Sequence, residues 1–208
     1  MTHTAPLSTR ASVFEAAEQV LRSAGPAALS VRRIADLADT STQAVYTQFG
    51  GKPGLADALY REGYRRLEQR IAALDLPGDP IDRIRALAWA YRENALVNAH
   101  LYDLMTARPL PEYDPPVESR REALRTIEPL IEAIRDAVES GALAGDPRRI
   151  AQHLWAAGHG LISLTLNGLE LDDDAEEIYR EMLDTMIDQH RPEVRSGAKK
   201  QPERGTST

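Results

Sequence analysis

The sequence has 208 residues, of which 42% are hydrophobic and 27% are charged, and its formal net charge is −7. These values are typical of a soluble globular chain and exclude an intrinsically disordered one. Cysteine is absent, which excludes disulfides, thiolate metal sites and cysteine nucleophiles. We find no secretory signal and no apolar run of about 18 residues, so we expect a cytoplasmic protein without a membrane anchor.

The negative charge is distributed unevenly along the chain. Residues 1–53 hold five basic and four acidic side chains, a net charge of +1, whereas the remainder holds 20 basic and 28 acidic ones, a net charge of −8. This split predicts that the first quarter of the chain meets a different partner from the rest, although chance variation would also produce it.

Helical periodicity runs through nearly the whole sequence, and no segment shows the sustained alternation of a β-strand, so the predicted class is all-α with about nine helices. Proline at 129 should kink or split the helix that contains it, because it removes a backbone donor and clashes with the preceding turn. The predicted helices cover about 9–24, 31–38, 42–49, 53–76, 81–107 with an interruption near Asn98, 117–140, 147–169 and 174–190.

The second and third predicted helices are short and are joined by a turn of about three to four residues, the arrangement of a helix-turn-helix. Val45 and Phe49 share one face of the third helix and can anchor it to the core. The opposite face is polar, uncharged and capable of hydrogen bonding, as expected of a helix that reads base edges in the major groove. Its residues are Thr42, Gln43, Tyr46 and Thr47. Arg32 and Lys52 flank this face near helix starts, where backbone N–H groups also attract phosphate.

A wider pattern surrounds this motif. It consists of Ala16-Ala17, Gly25, Leu29 to Ala35, Ala44 to Phe49, and Lys52 followed by Leu55. In this spacing, residues 10–60 resemble the DNA-binding region of the TetR family of transcriptional regulators. The resemblance implies a homodimer on a palindromic operator in double-stranded DNA, with Tyr46 and Lys52 as phosphate ligands. The predicted DNA-binding set is Ser30, Arg32, Thr42, Gln43, Tyr46, Thr47 and Lys52.

Two positions depart from the family pattern. Asp39 stands in the inter-helix turn where the family often has glycine, and aspartate tolerates the left-handed backbone conformation. Pro53 follows Lys52 directly, which predicts that Lys52 lies outside helical geometry.

The last two predicted helices carry more apolar surface than one domain needs. The helix from Pro147 to Leu169 is apolar nearly all round, so we expect its own domain and another chain to cover it. Gly158 and Gly160 inside it predict a close helix approach. The two helices are therefore predicted to form the dimer interface, as the resemblance also implies. The Trp155-xxx-His159-Gly160 pattern is similar to a C-terminal domain type of one TetR subgroup.

Large, partly apolar side chains with a few polar tips are the type that lines a small-molecule pocket. Those predicted to form an effector site are Trp89, Tyr91, Tyr102, Met105, Trp155 and His159. Aromatic and methionine residues at helical spacing are also typical of a plain core, and this alternative stays open.

Motifs of metalloproteases, serine hydrolases, dinucleotide-binding enzymes and phosphate-binding loops are absent from the sequence. The acidic run Asp172 to Asp174 could attract a cation, but it is more simply a helix N-terminal cap. The sequence therefore predicts a non-enzyme with no metal and no cofactor.

The predicted organisation is a DNA-binding domain at 1–53, a helical effector-binding and dimerisation domain at 54–190, and a disordered tail at 191–208. The predicted function is that of a sequence-specific DNA-binding regulator, a repressor released by a small-molecule effector. Two alternatives remain open at this point: a helical small-molecule-binding protein that does not bind DNA, and a dimeric DNA-binding regulator with no effector.

Overall fold

The computed structural model describes residues 8–107, 110–171 and 174–192. This part of the chain contains α-helices and one short 3-10 turn at Pro26–Ala28 but no β-strand, which confirms the all-α class. The helices are α1 (Thr9–Ala24), α2 (Val31–Leu37), α3 (Thr42–Phe49), α4 (Lys52–Ala72), α5 (Pro80–Val97), α6 (Ala99–Thr106), α7 (Val117–Arg125), α8 (Glu128–Glu139), α9 (Pro147–Leu166) and α10 (Ala175–Asp188). Most of the predicted disordered tail, residues 193–208, lies outside the described residues.

The described helices number ten rather than about nine because two long predicted helices are each divided. The first breaks at Asn98, whose buried side-chain amide donates to the backbone carbonyl and to Oδ1 of Asn94, both at 3.1 Å. The second breaks before α8, and Pro129 lies in the first turn of that helix, where a missing N–H costs no hydrogen bond. Both interruptions follow the sequence prediction. α4 ends at Ala72, a few residues before the predicted end.

Serine and aspartate side chains fix most helix starts by accepting a hydrogen bond from a backbone N–H in the first turn. The capping residues are Ser8, Ser30, Ser41, Asp79, Asp146 and Asp174. Asp174 accepts from the backbone N–H of Glu177 at 3.0 Å, as predicted for the acidic run. Asp172 and Asp173 lie outside the described residues.

Two main hydrophobic clusters hold the helices together. The first joins α1, α2, α3, the N-terminal half of α4, and α6. The second joins α5, α8, α9 and α10. Because α6 and half of α4 belong to the first cluster, the core of the N-terminal part extends beyond residue 53. The domain boundary placed after residue 53 stays a prediction.

The contact between α4 and α6 is close at Gly63. A Cβ atom at this position would lie 2.3 Å from Sδ of Met105 and 3.5 Å from Cβ of Leu101. Glycine therefore allows the two helices to approach to a distance that a larger residue would prevent without rearrangement of Met105. None of the described helices is both long enough and apolar enough to cross a bilayer.

Candidate nucleic-acid interface and internal cavity

Helices α2 and α3 form the predicted helix-turn-helix. Asp39 in the turn has φ of +49°, the left-handed conformation expected at this position. Ile34 and Val45 are fully buried, one from each helix, and they join the core formed with α1 and α4. Burial of these two side chains fixes which face of α3 points outward.

The outward face of α3 carries four of the predicted DNA-binding residues, and all of them are exposed. They are Thr42, Gln43, Tyr46 and Thr47. The hydroxyl of Thr47 donates to the backbone carbonyl of Gln43 at 2.9 Å. The hydroxyl oxygen of Thr47 can therefore act only as an acceptor towards another group. The Tyr46 ring lies against Gly51, where a Cβ atom would be 2.8 Å from Cε1 of the ring, and Tyr46 as a residue is 55% exposed.

The other predicted DNA-binding residues lie at the starts of α2 and α4. The Ser30 hydroxyl caps α2 by accepting from the backbone N–H of Arg33 at 3.3 Å, and Arg32 is exposed beside it. Lys52 is the first residue of α4, so the expectation that Pro53 holds Lys52 outside the helix is wrong. Pro53 fits the first helical turn because its missing N–H would have had no intrahelical acceptor.

Lys52 is paired within the chain. Its ammonium contacts the carboxylate of Glu112, which lies in the segment between α6 and α7. The hydrogen bond from Lys52 holds the pKa of the Glu112 carboxyl below its ordinary value. A phosphate that binds Lys52 therefore competes with an internal anion.

A cavity of about 280 Å³ lies among helices α4 to α10. Of the six predicted effector residues, Tyr91, Met105 and Trp155 line this cavity. Tyr102 and His159 lie behind the wall: the Tyr102 hydroxyl is hydrogen-bonded to the Tyr91 hydroxyl at 3.0 Å and to Nδ1 of His159 at 2.6 Å. The cavity lining and these contacts together bring five of the six predicted residues into one group.

Trp89 is the predicted residue that falls outside this group. Its ring packs on Tyr179, with the ring centroids 5.2 Å apart, and the guanidinium of Arg92 lies 5.4 Å from its centroid. Tyr179 itself lines the cavity, so Trp89 lies one layer further out.

Several cavity residues were not predicted from the sequence. They are, among others, Tyr60, Tyr64, Leu67, Ile71, Thr126 and Leu130. The first four share one face of α4 at spacings of four, three and four residues. That pattern was visible in the sequence, but an apolar stripe on a helix predicts burial without distinguishing a core from a cavity wall.

A buried polar cluster joins α1, α4 and the α5–α6 junction. Arg66 donates to the carboxylates of Glu18 and Glu62, both at 2.7 Å, and to Oδ1 of Asn98 at 2.8 Å. Nε2 of His100 lies 3.1 Å from the other carboxylate oxygen of Glu18. One guanidinium thus connects the first helix of the N-terminal core to the helices around the cavity.

This cluster makes the folded state sensitive to acid. Burial lowers the pKa of His100 below 6.5, and the hydrogen bond with Glu18 offsets this only in part. Burial raises the pKa of Glu18, but hydrogen bonds with Arg66 and His100 outweigh it, so the pKa lies below 4.5. Both groups therefore bind protons more tightly in the unfolded chain, and stability is lost as the pH falls.

We expect the free energy of unfolding, measured in urea from pH 8 to pH 4, to fall below about pH 6.5 and to fall further near pH 4.5. His100→Gln should reduce the first part of this decline. Glu68→Gln, which alters an exposed carboxylate on α4, serves as the control and should leave the profile unchanged. A profile that is identical in the His100→Gln and parent proteins would contradict this assignment.

Two family models match the sequence. One describes bacterial regulatory proteins of the tetR family and matches residues 13–59, and the other describes the tetracyclin repressor-like C-terminal domain and matches residues 84–186. The chain belongs to the TetR family. It is a DNA-binding transcriptional regulator and not an enzyme, and the family dimerises through the C-terminal domain. No match was found among curated proteins.

Solved structures agree with the TetR fold over nearly the whole chain. A protein of unknown function from Rhodococcus sp. RHA1 superposes with a TM-score of 0.80 at 25% identity, over 92% of this chain and 100% of that one. A tetR-family regulatory protein from Rhodococcus RHA1 gives a TM-score of 0.67 at 21% identity, over 89% and 98%. The TetR-family regulator PfmR from Thermus thermophilus gives 0.63 at 19% identity, over 88% and 96%.

The two family models cover both the helix-turn-helix and most of the part of the chain that surrounds the cavity. The TetR N-terminal match covers the helix-turn-helix, and the C-terminal match covers most of the helices around the cavity. Among the residues that the structure describes, no group of three or more histidine, aspartate or glutamate side chains could hold a metal ion.

Proposed function

We propose that this TetR-family regulator is a cytoplasmic homodimeric repressor that binds a palindromic operator and leaves it when a small molecule fills the cavity. One observation carries the proposal: α4 and α6 line the cavity and also belong to the core of the helix-turn-helix domain. Met105 does both, because it lines the cavity and packs in the N-terminal cluster. A ligand that displaces α6 acts directly on the DNA-binding domain.

In this proposal the exposed face of α3 enters the major groove. Thr42, Gln43 and Thr47 contact base edges, with Gln43 suited to a bidentate contact with adenine. Tyr46 and Lys52 bind phosphate, as do Ser30 and Arg32 at the start of α2. The free backbone N–H groups of that helix start favour an anion at the same place.

The outward face of α9 is the proposed contact with the second copy. It presents a row of exposed residues at four-residue spacing, and the two in the middle are small. The row consists of Gln152, Ala156, Gly160 and Leu164. A Cβ atom on Gly160 would meet no atom within 4 Å, whereas one on Gly158 would lie 3.1 Å from the hydroxyl of Tyr179 on α10. Gly158 therefore serves packing within the chain, which leaves Gly160 for close approach of the partner helix.

Release of the operator requires that the effector bind two conformations of the dimer with unequal affinity. A dimer places its two recognition helices about 34 to 36 Å apart for binding to successive major grooves. A ligand that binds the cavity more tightly when α6 is displaced shifts the population away from this spacing. A ligand with equal affinity for both states would shift nothing, however tightly it binds.

Operator binding tests the proposal. Fluorescence anisotropy with DNA from upstream of the gene should show saturable binding that weakens steeply with salt, as counterion release requires. Gln43→Ala should relax the preference at one base position of each half-site by about 1 to 3 kcal/mol. Gln69→Ala, an exposed glutamine outside the helix-turn-helix, should leave the preference unchanged.

The possible outcomes separate the proposal from its alternatives. Binding no tighter than to random DNA, with ligand binding intact, would favour a small-molecule-binding protein. Operator binding that no cavity ligand alters would favour a regulator without an effector. An unchanged base preference in the Gln43→Ala variant would remove Gln43 from the reading face.

A further inference from the structure

Both threonines that line the cavity donate their hydroxyl hydrogen bonds to protein atoms. The hydroxyl of Thr106 donates to the carbonyl of Tyr102 at 2.8 Å, and that of Thr126 donates to the carbonyl of Ala123 at 2.7 Å. A ligand that reaches these oxygens therefore meets acceptor lone pairs.

Three aromatic side chains of the lining also have their polar groups hydrogen-bonded to protein atoms. The hydroxyl of Tyr179 donates to the carbonyl of Ala88 at 3.0 Å, and Nε1 of Trp155 donates to the Tyr91 hydroxyl at 3.2 Å. The Tyr91 hydroxyl in turn is hydrogen-bonded to that of Tyr102. The indole N–H and these hydroxyls are thus engaged within the wall itself.

Charge is nearly absent from the cavity lining. Among the residues that line it, the one with an ionised side chain is Arg120 on α7. Its guanidinium donates to Oδ2 of Asp114 at 3.0 Å, and its side chain is 43% exposed. Leu124, which also lines the cavity, is 58% exposed, so this side of α7 forms the mouth rather than the interior.

We propose that the cavity binds an uncharged, mainly aromatic or alicyclic molecule that offers a hydrogen-bond donor, and that it rejects carboxylates and ammonium ions of the same shape. This inference rests on the proposed function and specifies the chemical class of its effector. A buried ligand charge would find no side chain of opposite charge among the interior groups and would lose its hydration without that compensation. A ligand hydroxyl or N–H, in contrast, finds acceptor oxygens.

The pKa values of three tyrosines that line the cavity are consistent with an apolar interior. Burial raises the pKa of Tyr64, Tyr91 and Tyr179 above the ordinary value of 10.0. The desolvation that disfavours a phenolate on the wall also disfavours an anion on the ligand.

The volume limits the size of the ligand. A cavity of roughly 150 Å³ lined by aliphatic and aromatic residues accepts benzene. The present cavity is about 280 Å³ and is lined by rings such as Tyr60, Tyr64, Tyr91 and Trp155. A compound of two to three fused rings therefore matches it in size and in surface.

Three probes that share the naphthalene ring and differ in charge test the inference at neutral pH: 1-naphthol, 1-naphthoate and 1-naphthylmethylammonium. Calorimetric titration of the full chain should show binding of 1-naphthol, with each ion weaker by about tenfold or more. Quenching of tryptophan fluorescence provides a second readout, because Trp155 lines the cavity. Comparable affinity for either ion, or no binding of 1-naphthol, would overturn the inference.

A charge placed on the wall provides the matched variant. Leu130 lines the cavity and is half-buried, so Leu130→Lys should shift the preference towards 1-naphthoate. Leu76→Lys, at a partly exposed leucine outside the cavity, should leave the preference unchanged. If the Leu130→Lys protein does not fold, the probe series on the parent protein still decides the question. Operator binding measured in parallel distinguishes failure of this inference from failure of the proposed repressor function.

Discussion

Replacing Gly160 with arginine is expected to produce a monomer and to lower operator affinity by about a hundredfold or more, because the second half-site is then no longer bound within the same complex. Gly160 is exposed, and its position has open space around it in the single chain, so the variant should fold. Arginine also favours a helix more than glycine does. The guanidinium would occupy the space that the proposed partner helix needs.

The matched control is Gly78→Arg in the segment between α4 and α5. Gly78 is likewise exposed, and a Cβ atom there would meet no atom within 4 Å. Analytical ultracentrifugation gives the oligomeric state, and anisotropy with full and half operators gives the affinities. A Gly160→Arg protein that stays dimeric with unchanged affinity would show that the interface does not use this face of α9.

Replacing Arg66 with methionine is expected to reduce the free energy of unfolding by about 2 to 3 kcal/mol. Breaking a buried ion pair costs about 3 to 5 kcal/mol, and we lower this figure because the Arg66 side chain is 26% exposed. The substitution leaves Oδ1 of Asn98 without its guanidinium donor, and it removes one of the two guanidinium donors of Glu18, which keeps the contact with Arg22. Urea unfolding of the two proteins measures the difference.

Arg65→Met on the same helix is the matched control. Arg65 donates twice to the carboxylate of Glu62, but its side chain is 50% exposed and makes this contact at the surface. Its replacement should cost less than about 1 kcal/mol. Equal losses in the two variants would mean that the contacts of Arg66 with α1 and Asn98 contribute little.

Local signals explain what the sequence predicts well. The break at Asn98, the helix start next to Pro129 and the left-handed turn at Asp39 each depend on one residue and its immediate neighbours. The outward face of α3 follows from helical spacing once Val45 is placed in the core. These features require no knowledge of which helices meet.

The cavity and the Lys52 contact depend on packing between distant segments. Trp89 and Tyr91 are two residues apart on α5, and both were equally plausible wall residues in the sequence. Only the position of α10 decides that Trp89 lies behind Tyr179 while Tyr91 faces the cavity. The pairing of Lys52 with Glu112 likewise depends on how the segment after α6 returns to the start of α4. No local pattern specifies either arrangement.

The pairing of Lys52 with Glu112 has a consequence for how operator binding responds to ionic strength. A phosphate that takes Lys52 from Glu112 releases a condensed cation from the DNA, but the carboxylate left behind attracts a cation in its place. The net number of cations released into solution by this exchange is then close to zero. The logarithm of the binding constant should therefore fall less steeply with the logarithm of the salt concentration. The slope should correspond to about one phosphate contact fewer than the number in the complex. For the proposed contact between Lys52 and phosphate, Glu112 is thus the anion that the phosphate replaces.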